Sequence, residues 1–182
     1  MRAVSARRAQ AALTTDIEAF ERLGYRPLER RPYEAVLEAK GKGPDLRLRL
    51  AGEGRIFGGN WGLEIATAEP VLPPSKGLRA RGQGVVKMRG VKFRGDRELA
   101  ERLSADERLA AALEQVHFER VTVEPDGRPV IRHMGGSVVW ILFPPVVRTT
   151  PLPKGQPQAA VRALREFARV GRELGAGEGA RG

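Results

Sequence analysis

Cysteine is absent from this 182-residue chain, so disulfide frameworks, thiolate zinc sites, iron–sulfur clusters and cysteine nucleophiles are excluded outright. That usage fits a reducing cytoplasm. Histidine occurs twice, as His117 and His133, and neither stands in a metal-ligand spacing such as H-E-x-x-H. Aromatic residues make up 5% of the chain, too few for a stacking surface for bases, and neither the aromatic signature of RNA-recognition modules nor a helix-turn-helix is visible. Long apolar runs are missing as well. The longest uncharged run, Met134 to Val147, is 14 residues and is broken by Gly135, Gly136, Pro144 and Pro145, which is too short to span a bilayer. The N-terminal stretch has no continuous apolar segment, because Arg7, Arg8, Thr14, Thr15 and Asp16 interrupt it, so no signal peptide is expected.

The motifs of common chemistries are equally scarce. No serine lies in G-x-S-x-G, and no G-x-x-x-x-G-K-[ST] exists to cradle phosphates. The Gly-rich stretches GKGPD and GEGRIFGGNWG do not lead from a strand into a helix N-terminus, the context a phosphate site needs. No cofactor is expected from these residues. Glu34, Glu38, Glu119 and Glu124 read as strand positions that pair with arginines across a sheet.

What the chain does have is positive charge. Its net charge is +10, with a pI near 10.9, which favours attraction to polyanions such as nucleic acid or acidic lipid. A bias toward Arg, Ala, Gly and Pro, as in a GC-rich bacterial genome, accounts for part of that excess, so its distribution matters more than its total. The charge concentrates between Lys76 and Asp96, where Lys76, Arg79, Arg81, Lys87, Arg89, Lys92 and Arg94 run without an acid until Asp96. Val86 and Met88 alternate with Lys87 and Arg89; beyond Gly90 the parity reverses, and Val91 and Phe93 become the apolar positions beside Lys92 and Arg94. A strand keeps such a pattern on one face only by inserting a residue, so residues 85–94 read as one strand bulged at Gly90. A turn at Gly90 between two short strands is the alternative.

Elsewhere the patterning is that of an α+β chain. Thr14 to Leu23 has helical spacing with a capping box at Thr15–Glu18, and Ala3 to Leu13 can extend it. YEAVLEAK and LRLRL read as strands around a GKGPD turn, with Leu46, Leu48 and Leu50 inward and Arg47 and Arg49 toward water. The glycines at 52, 54, 58, 59 and 62 punctuate a loop around Trp61, followed by a short strand Leu63–Ile65. Asp96 caps a short helix, Ser104 to Glu107 forms a second capping box, and ERVTVE and PVIRHM make a hairpin about Pro125-Asp126-Gly127. SVVWILF is an apolar run of strand length, expected to be buried on both faces or to meet another subunit through Val138, Val139, Trp140, Ile141, Leu142 and Phe143. A last helix begins at Pro157 and stops at Gly175, leaving residues 176–182 as a tail with nothing to bury.

The same marks recur in order in two halves, 14–70 and 97–150: a helix, aromatic-Glu-x-Val, a Pro-Asp turn, Gly-Gly and a tryptophan. The intervals from aromatic to tryptophan differ, 28 residues against 22, and so does the inward parity. The fold expected for 1–175 is therefore one α+β domain, an antiparallel sheet of about six to eight strands with helices on one face, with or without two similar α-β-β-β halves. The function it supports is that of a non-catalytic binding or scaffold domain, with its basic strand face turned to an anionic partner, nucleic acid first and an anionic lipid surface second. The competing readings are a solvated edge that Lys and Arg protect against strand pairing, an enzyme with a cleft near Trp61, the Gly-rich loop and His133, and a structural homo-oligomer.

Overall fold

The computed structural model describes residues 2–55, 58–81, 91–141 and 146–179. Four helices and ten strands alternate along it as α1 (Arg2–Glu21), β1 (Tyr25–Arg31), β2 (Glu34–Ala39), β3 (Leu46–Arg55), β4 (Gly58–Thr67), β5 (Leu78–Arg81), β6 (Arg94–Gly95), α2 (Arg97–Ala105), α3 (Glu107–Glu114), β7 (Phe118–Val123), β8 (Pro129–His133), β9 (Ser137–Ile141), β10 (Val146–Thr150) and α4 (Gln156–Gly179). All ten strands join one antiparallel sheet; eight follow in the order β1-β2-β3-β4-β8-β7-β5-β6, and β9, with β10 on its far side, branches off by pairing with β4. The fold is α+β, as the patterning indicates.

One long hairpin organises this sheet. β3 pairs with β4 along its full length, from Leu46↔Thr67 to Arg55↔Gly58. On its other edge β4 meets two strands in succession, β9 over Gly58–Trp61 and β8 over Glu64–Ala66. β8 and β9 are thus one interrupted strand. Met134, Gly135 and Gly136 are the inserted residues, and Gly136 takes a positive φ of 67° that an L side chain rarely adopts.

The alternating leucines of β3 face the helices, and Leu37, Leu46, Leu48, Leu63, Ile65 and Ile131 are fully buried there against Phe20 of α1 and Phe167 of α4. At roughly 25 cal/mol per Å2 of buried apolar surface, each such side chain stabilises the fold by about 2 kcal/mol. The opposite face of the sheet carries charge instead.

Several local expectations change. The glycines around Trp61 do not form a loop: Gly52, Gly59 and Gly62 sit inside β3 and β4, because large side chains lie across them. A Cβ at Gly52 would fall 3.1 Å from the Trp61 ring, one at Gly59 2.6 Å from Trp140, and one at Gly62 2.8 Å from the Arg132 guanidinium. The segment around Pro27 is a strand, tolerated because β1 is a sheet edge and bulges between Pro27 and Glu29. The box at Thr15–Glu18 is not used, since α1 is continuous from Arg2 and the Thr15 hydroxyl donates to the Ala11 carbonyl at 3.2 Å. Asp106, rather than Ser104, caps α3 by accepting from the Leu109 N–H at 2.8 Å, while the Ser104 hydroxyl accepts from the Phe93 N–H at 3.0 Å. Gly175 does not stop α4, which runs on to Gly179. The two halves also differ in layout. Residues from β1 to β4 form a meander in chain order, whereas β7–β8 and β9–β10 are separate hairpins, and Gly58–Gly59 lie within a strand while Gly135–Gly136 form the interruption.

Candidate functional site: the charged face of the sheet

Register places the charged residues in cross-strand rows. One row reads Arg31, Glu34, Arg49, Glu64, Arg132, Arg120 and Arg81 from β1 through β2, β3, β4, β8 and β7 to β5. The first four alternate in sign. The last three are all cations, and like charges directly opposite each other on neighbouring strands destabilise a sheet.

Glu64 of this row, with Glu53 and Glu119 from outside it, answers that cost at the centre. Arg132 is 1% exposed and lies against three carboxylates: its Nη1 is 3.4 Å from Glu64 Oε1, its Nε 3.2 Å from Glu119 Oε2 and its Nη2 3.4 Å from Glu53 Oε1. Glu119 reaches it because β7 shifts register between Phe118 and Arg120, which brings Glu119 and Arg120 to the same side of the sheet. Arg120 shares Glu53 at 3.4 Å and Glu64 at 3.6 Å. Glu64 is itself buried and accepts from Arg49 at 2.7 Å. Nearby, Arg47 forks onto Glu34 at 2.8 and 3.1 Å, and that hydrogen bond holds the Glu34 carboxyl below the usual carboxylate range. The Nη2 of Arg132 makes no hydrogen bond, so its contact with Glu53 is electrostatic.

The lattice ends at β5 and β6. Arg79 lies directly opposite Arg94; both side chains are exposed, and neither has an ion pair among the described residues. Lys92 is exposed while Val91 and Phe93 are buried, the segregation that the parity reversal requires. Lys76 is exposed just ahead of β5. Arg81 occupies the β5 position opposite Arg120, but its side chain lies outside the described residues. So do Lys87, Arg89 and the bulge expected at Gly90. Among the described residues of the expected strand, 91–94, regular strand geometry begins at Arg94, and residues 91–93 are not a strand. Phe93, the stacking aromatic nearest the cations in sequence, packs inward, edge-on to Phe167 at 6.0 Å. Beside it an open groove of about 400 Å3 runs between residues 91–95 and α2, flanked by Lys92, Arg94 and Arg97.

The other candidates in the sequence are engaged in structure. His133 is buried, and its Nδ1 accepts from the Gly135 N–H at 2.7 Å, so its Nε2 donates to Gln156 Oε1 at 2.9 Å. The same Gln156 oxygen accepts from the His117 N–H at 2.8 Å, and burial keeps the His133 imidazole below its usual pKa. This knot ties β8, the turn after α3 and the start of α4. Trp61 stacks on Tyr33 at 4.8 Å. Of the apolar run in β9, Val138 is buried in the core, while Val139 and Ile141 are 37% and 44% exposed; burial on both faces therefore does not hold, and Leu142 and Phe143 lie outside the described residues.

Sequence reasoning missed Arg132, Glu53 and Glu119 as members of one cluster. Their signal was the charge alternation in β3 and β7, but cross-strand register is needed to bring it together. No group of acids and histidines suited to a metal ion occurs among the described residues, and none of their helices is long and apolar enough to cross a membrane. Residues 18–170 match the model of a family described as a protein of unknown function (DUF3156). No curated protein and no solved structure matches the chain.

Proposed function

We propose, for a chain that belongs to the DUF3156 family of proteins of unknown function, a non-catalytic binding domain that turns the β5–β6 edge of its charged face to an anionic partner, nucleic acid before others. The observation that carries this is the direct opposition of Arg79 and Arg94, both exposed and without an ion pair among the described residues. Elsewhere on the face, like charges brought together by register have carboxylates beside them. At this edge none is paired with them among the described residues, and a phosphate seated between the two guanidiniums would remove the repulsion and supply charge-assisted hydrogen bonds to both.

The inward position of Phe93 sharpens the kind of contact. Without an aromatic at this surface, base stacking gives way to backbone phosphate contacts, which suit a duplex and carry little sequence preference. Duplex DNA binding is expected to weaken steeply with salt. Replacing Arg79, Lys92 and Arg94 together by Gln should lower the slope of log affinity against log salt by about 2 to 3, at roughly 0.9 per phosphate contact. Filter binding at several salt concentrations measures it; an unchanged slope in the triple variant, or no salt-dependent binding to DNA or RNA, rejects the reading.

A further inference from the structure

A different surface lies on β9 and β10, which pair with neither β5 nor β6. Four strand ends meet there in one row, Arg55↔Gly58, Gly58↔Ile141 and Ile141↔Val146, and the next row on the same face runs Glu53, Asn60, Val139 and Arg148. Val139, Ile141 and Val146 are 37%, 44% and 43% exposed, three of the five large hydrophobic side chains exposed among the described residues.

The unpaired charge beside this apolar corner, among the described residues, is positive. Arg148 is exposed on the same face. At the strand's edge Arg8 of α1 donates from Nη1 to the Val147 carbonyl at 2.7 Å, and α1 has no acid before Asp16. Glu53, the acid of the second row, is already held by Arg120 and Arg132. A second copy of this chain is a poor occupant, because a contact covering Val139 would also cover Arg148, directly opposite it on β10, and burying a cation without a partner is costly. A soluble polyanion would leave the valines and isoleucine in water. Apolar side chains flanked by Arg148 and Arg8 match the boundary between acyl chains and acidic headgroups.

We propose that this corner docks the protein on an anionic lipid surface, with Val139, Ile141 and Val146 entering the headgroup boundary and Arg148 and Arg8 meeting lipid phosphates. The test is co-sedimentation with vesicles of phosphatidylcholine and phosphatidylglycerol in a three-to-one mixture, against vesicles of phosphatidylcholine alone. The wild-type protein should sediment with the first and stay in solution with the second. Ile141→Asp combined with Val146→Asp should abolish sedimentation, Arg148→Gln should weaken it about fivefold, and Arg79→Gln with Arg94→Gln should leave it unchanged, which separates this surface from the β5–β6 edge. Unaltered circular dichroism checks the fold of each variant, and Ile141→Gln with Val146→Gln gives the same readout if the aspartates unfold the chain. The proposal fails if the mixed vesicles bind no protein, if the Ile141 and Val146 variants still sediment, or if light scattering shows a wild-type dimer that those substitutions turn into monomers.

Discussion

Asp16 is a carboxyl on the core side of α1, 3% exposed, with an Oδ2 that has no hydrogen-bond partner. Its Oδ2 lies 3.0 Å from where a Cβ on Gly136 would stand, so the helix packs its acid against the glycine interruption between β8 and β9. Burial raises its pKa from 3.8 to about 7, since the charged form loses its water without gaining a cation. The raised value means that the folded state holds the proton more tightly than the unfolded chain, so this carboxyl's contribution to stability is full below about pH 4 and is lost as pH rises toward 7. Asp16→Asn should therefore be more stable than wild type at pH 8 and lose that advantage near pH 4, a swing on the order of 4 kcal/mol. Urea midpoints of both proteins across that range measure it. Comparing the two profiles also cancels His133, whose lowered pKa acts in the opposite direction by favouring higher pH. A constant difference between them would show that Asp16 titrates as it does in the unfolded chain.

Among the elements, the segment before β5 depends on two glycines. Val71 and Leu72 donate their N–H groups to the Gly127 carbonyl at 3.3 and 3.1 Å. A Cβ at Gly127 would overlap the Leu72 carbonyl, and one at Gly171 of α4 would overlap the carbonyl of Val71. The chain thus passes between the β7–β8 turn and α4 at backbone contact distance. Gly171→Ala should gain about 1 kcal/mol of helix propensity but lose more, because overpacking costs about 1–3 kcal/mol and the obstruction here is backbone, not a side chain that can swing away. A net destabilisation in guanidinium unfolding is expected, and a more stable variant would mean that α4 can shift. The sequence indicated the existence of α4 from the spacing of Val161, Leu164, Phe167 and Val170, all buried. Gly171 gave no signal, since contact between a helix and a loop a hundred residues away leaves no periodicity. For the same reason β10 went unread and the glycines of β3 and β4 read as a loop: their use depends on Trp61, Trp140 and Arg132 lying across them.

At the scale of the molecule, one sheet runs without a break from β1 to β6, and a single core cluster extends from Ala9 to Val170. Both halves contribute to β4, which pairs with β3 on one edge and with β8 and β9 on the other. Unfolding should accordingly be one cooperative transition, with calorimetric and van't Hoff enthalpies in agreement; two resolved transitions would mean that the β1–β4 meander is stable alone. Charge follows the same division of labour. The centre of the open face is neutralised from within, and cations without an ion pair among the described residues lie at its margins, on β5, β6 and β10.

The residues by themselves determined the class of the fold, the core face of β3, and the segregation of Lys92 and Arg94 from Val91 and Phe93. Each of these follows from local periodicity and turn chemistry, which neighbours in sequence express without help. The tertiary structure decided which charges meet. Arg47 and Arg49 read as residues facing water, and only the pairing of β3 with β2 and β4 gives them Glu34 and Glu64. The basic run read as a strand face of alternating cations, and only register shows that Arg79 and Arg94 oppose each other, with no ion pair to either among the described residues. Electrostatic partnership depends on distance in space, and Arg132 meets Glu53 from 79 residues away in the sequence.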